Sequence, residues 1–200
     1  MEQCPSSDEG NTPLTDDEAE GLIPSHVTTR AELNQWKAVN IARAQARYGR
    51  RTGINVLDSE FLRTLHRRMF EHTWKWAGTF RRSDNNISPH AWHNVPALLH
   101  DLVENVRAQY DASVKADAEV DAIATRFHHE LVRIHPWPNG NGRHARLATD
   151  LLCAQWGRPA FTWGGGANLA DGGNARVAYI DALRQADRGD LKPLLRFVRT

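Results

Sequence analysis

The chain has 200 residues, 40% of them hydrophobic, with 25 basic and 24 acidic side chains and a formal net charge of +1. That length and apolar content suffice for one compact core, and no apolar run reaches membrane-spanning length. The first residues lack the basic-then-apolar order of a secretory signal, and only Cys4 and Cys153 are present, far apart. A membrane partner and a disulfide framework are therefore not expected, and the cytoplasm is the expected compartment.

Near-neutral charge conceals an asymmetry. Glu2, Asp8, Glu9, Asp16, Asp17, Glu18 and Glu20 fall in the first 21 positions, which hold no Lys or Arg, so the remainder is net basic. Residues 1–28, rich in Ser, Pro and Asp, read as an acidic and partly disordered leader, and 29–200 as a single domain. The basic balance suits nucleotide phosphates or an acidic partner; no recognition helix or RNA-binding motif accompanies it, so no direct nucleic-acid contact is expected.

Helices dominate from residue 29 on. Thr29-Arg30-Ala31-Glu32 is a capping box opening a helix with Leu33, Trp36, Val39, Ala42 and Ala46 on one side and Gly49 beyond its end. Asp58 caps a second helix, with a Leu57–Leu62 staple and Leu65 and Met69 continuing the stripe. Asn94 is the expected cap of a third, carrying Leu98, Leu99, Leu102, Val103, Val106 and Tyr110. Asp117 is the expected cap of a fourth, whose apolar positions Val120, Ile123, Ala124, Phe127, Leu131 and Ile134 place His135 at its C-terminus.

After His135, Pro136 and Pro138 rule out regular helix, and Gly140 and Gly142 permit positive φ and close approach of backbone to a ligand. A helical pattern resumes near Arg143 and runs through Leu147, Leu151 and Leu152 to Gly157. The amides of Asn141, Gly142 and Arg143 thus face outward at a helix N-terminus, where the dipole favours an anion. Arg143 and Arg146, three apart, share a face on which both guanidinium groups reach the same anion, and a polyphosphate suits them better than a single carboxylate. Further on, Gly164-Gly165-Gly166 marks a flexible loop, Val177, Ile180 and Leu183 define another helix, and Asp190 begins the last. His129-Glu130 starts a zinc-protease-like pattern, but the position needing the second histidine is Arg133, so surface or core roles are expected for His128, His129 and His144.

The stretch from His135 to Arg146 resembles the Fic family signature H-x-F-x-[DE]-[GA]-N-[GK]-R-x-x-R, with His135, Gly140, Asn141, Gly142, Arg143 and Arg146 in register. Trp137 replaces the usual Phe, which is a packing anchor, and Asn139 the usual acidic residue. Trp76 to Arg81 followed by Ile87 is similar to the family's β-hairpin flap, and Asn174 to Leu195 to its closing helices, so about residues 30–198 are covered. The fold class that follows is all-α, a Fic-type helical bundle with a small β-hairpin flap.

The resemblance implies a nucleotidyltransferase that moves AMP from ATP, with Mg2+, to a Ser, Thr or Tyr hydroxyl of a target protein. His135 would be the general base. Gly140, Asn141, Gly142 and Arg143 would surround the α- and β-phosphates, and Arg146 would reach the γ-phosphate. Asn139 would offer magnesium an amide oxygen, and the flap residues Thr79, Phe80, Arg81, Arg82, Ser83 and Ile87 would pair with the target. The family's inhibitory pattern [ST]-x-x-x-E-[GN] is half present in Thr28 and Glu32, with Leu33 at its last position; the capping box accounts for Glu32 locally. A separate antitoxin-like inhibitor, in a toxin–antitoxin setting, is the partner that follows by analogy. Two other classes share this scaffold: transfer of another phosphate-linked group or removal of AMP, and a catalytically silent nucleotide-binding interaction protein.

Overall fold

A computed structural model describes residues 20–49, 51, 53–165, 169 and 173–200. The acidic leader up to residue 19, with Cys4, and the Gly166 end of the glycine run lie outside the described residues. Residues 21–27 lie against the helical body: Ile23 N–H donates to Thr73 O at 2.9 Å, Lys75 N–H to Gly21 O at 2.8 Å, and Leu22 forms an isolated bridge with Trp74.

Seven α-helices and no strands occur among the described residues. Helix α1 spans Arg30–Tyr48 and has the complete capping box, Glu32 N–H on Thr29 Oγ1 and Thr29 N–H on Glu32 Oε2. Helix α2, Ser59–Phe70, is capped by Asp58, whose carboxylate accepts from Glu60 N–H at 2.8 Å. Helix α3, Val95–Ala112, departs from the expected cap. A 3-10 turn over Trp92–Asn94 leads into it, Asn94 is itself in helical conformation with no side-chain cap bond, and Pro96 occupies the first turn, where a missing N–H costs nothing. Helix α4, Asp117–Ile134, likewise begins one residue early: Asp117 lies inside it, and Glu119 accepts from Val114 N–H instead. Helix α5, Asn141–Gln155, is followed by Gly157 at positive φ. Helices α6, Asn174–Asp187, and α7, Lys192–Val198, close the chain, with Asp190 Oδ1 accepting from Lys192 N–H.

Helix α4 packs against α3 and α5, α1 against α2, and α6 against α7. One core joins Leu62, Leu65, Met69 and Phe70 of α2 to Leu99, Val103, Phe127, Leu131, Ala148 and Leu152. A second holds Phe161, Trp163, Tyr179, Leu194 and Val198. Each such side chain contributes roughly 1.5–3 kcal/mol by leaving water.

Three expectations fail for identifiable reasons. Helix α1 does not bury the Val39–Ala42–Ala46 side: Val39 is 52% exposed, and the face turned inward carries Lys37, Asn40, Ala44 and Tyr48. Its polar members meet the loop after His135 and Thr73 rather than an apolar core. On α6, Val177 is 53% exposed while Tyr179, Ala182 and Ala186 face inward. Gly164, expected in a flexible loop, is hydrogen-bonded to Phe197 O at 3.1 Å, and any Cβ there would meet the Phe197 ring at 2.7 Å.

The β-hairpin flap is also not seen. From Thr79 to Trp92 the backbone groups find partners other than a ladder: Asn85 Oδ1 accepts from Ile87 and Ser88 N–H, Asp84 Oδ1 accepts from Trp92 N–H, and Arg81 N–H donates to the backbone carbonyl of Pro136. The segment is an irregular loop bound to the His135 strand of chain.

Candidate active site

His135 terminates α4 in the left-handed conformation, φ 52° and ψ 60°. Its ring Nδ1 lies 3.1 Å from Val132 O. A carbonyl only accepts, so Nδ1 carries the proton and the neutral ring has its lone pair on Nε2. The residue is buried, and burial, with the Arg81 guanidinium nearby, outweighs the Val132 bond and pushes the imidazolium pKa down to about 4. The ring is a neutral base at pH 7.

Trp137 anchors the following loop. It is fully buried, stacked between His66 at 4.5 Å and Phe80 at 5.0 Å, and its indole N–H donates to His144 Nδ1 at 3.3 Å. The larger ring therefore fits the slot expected for it. Asn141 closes the loop with its side chain, accepting from Trp137 N–H at 3.0 Å and donating to Trp137 O at 2.7 Å. His66 and His144 complete the support: His66 accepts from Gly78 N–H and donates to Asn139 O, while His144 donates to Leu62 O. Burial holds both rings neutral, His66 well below its usual range and His144 at about 4. Gly140 is at φ 85° with its Cα over Phe70, where a Cβ would meet the ring at 2.6 Å; only glycine fits both demands.

The first intrahelical bond of α5 runs from His144 N–H to Gly140 O at 2.9 Å, so the amides of residues 141–143 precede the helical ladder and point out of its N-terminus. Arg143 donates to Asn34 Oδ1 of α1 at 2.8 Å. Arg146 faces α6, its guanidinium 5.7 Å from the Tyr179 ring centre, and the Tyr179 hydroxyl meets His128 Nε2 at 2.8 Å. Both arginines are thus held by helices outside the loop.

The structure reassigns several expected roles. Arg81 is 2% exposed and faces inward, donating to the carbonyls of His135, Ser83 and His90. It staples the loop to the turn at His135, and its side chain is too buried to meet a target. Phe80 is half-buried against Trp137, whereas Thr79 and Arg82 are exposed and Ser83 and Ile87 partly so. Glu32 has its carboxylate on Thr28 and Thr29 N–H, bonds that hold it below the usual carboxylate range. Its place is the cap of α1, not an arginine of the motif.

Magnesium does not fit the protein donors present. Asn139 Oδ1 accepts from the ammonium of Lys37 at 2.8 Å, and Lys37 is only 6% exposed. A divalent ion on that oxygen would stand against a buried cation, and no cluster of three or more His, Cys, Asp or Glu able to hold a metal occurs among the described residues.

Sequence reasoning missed Asn34, Lys37, His66 and Tyr179. Lys37 and Asn40 carried a signal, since they interrupt the face that Leu33, Ala44 and Tyr48 bury. Among the described residues no helix is long and apolar enough to cross a membrane.

Comparison with known proteins agrees with this geometry. The Fic/DOC family pattern matches residues 56–153. The protein adenylyltransferase Fic of Nematostella vectensis is 33% identical over 67% of the chain, which spans 30% of that protein's length. The BepC protein of Bartonella tribocorum, solved with bound AMPPNP, superposes with a TM-score of 0.72 at 16% identity over 92% of this chain and 97% of that one. The N-terminal Fic domain of a Bep effector from Bartonella quintana, with bound ADP, gives 0.64 at 19% identity over 88% of this chain and 86% of that one. The chain belongs to the Fic/DOC family.

Proposed function

We propose that the chain is a protein adenylyltransferase that transfers AMP from ATP to a hydroxyl side chain of a target protein. The observation that carries this reading is the His135 ring, fixed by Val132 O in the tautomer that presents Nε2 as a base, one short loop before a helix N-terminus flanked by Arg143 and Arg146. The adenylyltransferase name of the Nematostella relative and the bound nucleotides of the Bartonella structures point the same way.

In the reaction, His135 Nε2 takes the proton of a Ser, Thr or Tyr hydroxyl as its oxygen attacks the α-phosphorus. The bond to the bridging oxygen breaks and pyrophosphate leaves with the electron pair. The amides at Gly140 to Arg143, with the Arg143 guanidinium, stabilise charge on the α- and β-phosphates, and Arg146 binds the γ-phosphate. Because the Asn34 side chain and the Tyr179 ring already orient the two guanidinium groups, little ordering remains to be done when the triphosphate arrives. The exposed edge formed by Thr79, Arg82, Ser83 and Ile87 receives the target segment, held beside His135 by the Arg81 staple. With Glu32 committed to its cap, restraint of the activity falls to a separate antitoxin-like partner.

Incubation with a candidate target and labelled ATP tests the reading. Label on the α-phosphate is expected to appear on protein and label on the γ-phosphate is not; the reverse pattern would identify a kinase-like reaction.

A further inference from the structure

We infer that His129, as an imidazolium, is a proton-controlled latch that holds the closing helices α6 and α7 on α4, and with them the Tyr179 ring beside Arg146. Its consequence for nucleotide affinity rests on the proposed nucleotide reading of the site; the latch itself does not.

Both ring nitrogens of His129 face carboxylates. Nε2 lies 2.8 Å from Asp187 Oδ1 and Nδ1 lies 3.4 Å from Glu130 Oε1, and the residue is 5% exposed. A neutral imidazole has one N–H and would turn a lone pair toward one of the two anions, whereas the imidazolium presents an N–H to each. Burial alone disfavours the charge, but the two carboxylates outweigh it and raise the His129 pKa above its ordinary value. Asp187 is the last residue of α6, where the helix dipole is itself negative, so a cation there is stabilised by carboxylate and helix end together. The other charged groups around the ring are Arg126, Glu130 and Arg133 on α4. Arg133 reaches Glu130 at 3.6 Å and Asp187 at 4.0 Å, too far to replace the short His129 contact. His90, in the loop before α3, acts on Glu130 but is held below its ordinary pKa chiefly by burial, so it is uncharged where His129 loses its proton.

The latch reaches the phosphate side through its neighbour. His128, the preceding residue of α4, meets the Tyr179 hydroxyl at 2.8 Å, and the Tyr179 ring centre lies 5.7 Å from the Arg146 guanidinium. Consecutive residues of α4 thus hold α6 at Tyr179 and at Asp187, about 12 Å apart along the helix. The two contacts respond differently to pH. Burial keeps His128 neutral, its pKa down at about 3, so that contact is unchanged from mild acid to alkali. The His129 contact weakens as its proton leaves, because a neutral donor bonds a carboxylate about half as strongly as a charged one. With the folded pKa of His129 raised, the stabilisation is complete below about pH 6.5 and is lost as pH rises through the folded value.

The test is amide hydrogen exchange of the full chain, read by mass spectrometry at about pH 6 and about pH 9 and corrected for intrinsic exchange rates. Protection of α6 relative to α2 is expected to fall about three- to tenfold in the parent between the two. His129→Gln, which keeps a donor but takes no charge, is expected to show the lower protection at both, and so is Asp187→Asn. The two variants remove the latch from opposite sides, so failure of one to fold leaves the other to decide. Calorimetric titration with a non-hydrolysable ATP analogue then compares the parent with His129→Gln at each pH, which cancels the ionisation of the nucleotide. The parent is expected to bind about three- to tenfold more tightly at the lower pH and equally at the higher, with the transfer rate at saturating nucleotide the same for both. Parent α6 protection that is flat with pH, or that falls equally in both variants, overturns the latch. A latch seen by exchange with no difference in nucleotide affinity overturns its link to Arg146, and absence of nucleotide binding by every form overturns the nucleotide reading while exchange still decides the latch.

Discussion

The Nδ1–H of His135 is held by the carbonyl of Val132, 3.1 Å away within the last turn of α4. The C-terminal carbonyls of a helix are otherwise without intrahelical partners, so this bond satisfies one of them and fixes a tautomer in the same step. The structural cap and the tautomer that the proposed mechanism needs are the same contact.

His135→Ala is accordingly expected to abolish transfer while leaving nucleotide affinity within about threefold, because the imidazole acts on the target hydroxyl and not on phosphate. Single-turnover rates and a binding titration on the same preparation check it. In the parent, kcat/KM is expected to hold steady through neutral pH and to fall only toward pH 4, following the lowered His135 pKa of about 4. An acidic limb near pH 6.5 would mean that the ring titrates as an exposed imidazole.

The buried histidines also set the acid stability. His135 and His144 are lowered to about 4, His128 to about 3 and His66 well below 6.5, all chiefly by burial. As pH falls below 6.5 the unfolded chain takes up these protons first. Their stabilisation is therefore complete above pH 6.5 and is lost downward at about 1.4 kcal/mol per pH unit for each histidine. His129, where bonds to Glu130 and Asp187 outweigh burial, is raised and contributes in the opposite sense, its share being lost as pH rises through its folded pKa. Urea midpoints are expected to drop steeply between pH 6.5 and 4.5; a flat profile over that interval would contradict neutral burial of these rings.

Tyr179→Leu isolates the support of Arg146, since it removes the ring face over which the guanidinium lies at 5.7 Å. Nucleotide affinity is expected to fall about three- to tenfold with the fold intact, less than the loss for Arg146→Ala, whose charge-assisted bonds contribute roughly 1.5–3 kcal/mol. Equal affinity for parent and Tyr179→Leu would show that Arg146 is positioned by something else.

Arg81 and Arg82 are neighbours with opposite fates. Arg81→Ala strips the donors from three carbonyls beneath the surface and is expected to cost about 2–4 kcal/mol, whereas Arg82→Ala is expected to stay within about 0.5 kcal/mol of the parent. Thermal melting of the two variants separates a staple from an exposed rim.

Much of this was legible in the sequence. Helical periodicity and the Thr29 and Asp58 caps located α1 and α2, because local hydrogen bonding decides those ends. The glycine spacing around Asn141 placed the turn and helix N-terminus, because positive φ at Gly140 and contact with Phe70 leave little choice of residue. What failed depends on partners distant in sequence. The α1 face was misread because its inward side chains Lys37 and Asn40 are polar and bond to residues 139 and 73, which an apolar-stripe reading cannot anticipate. The flap was expected as strands because the segment is similar to the family's hairpin, yet the Arg81 side chain and the Asn85 turn take up the backbone groups a ladder would use.

The central claim, AMP transfer with His135 as base, is tested most directly by tandem mass spectrometry of proteins incubated with the full chain and ATP. The account predicts peptides bearing the mass of one AMP on a Ser, Thr or Tyr, present with the parent and missing with His135→Ala. The same AMP-bearing peptides produced equally by His135→Ala, or peptides bearing only phosphate, would contradict it.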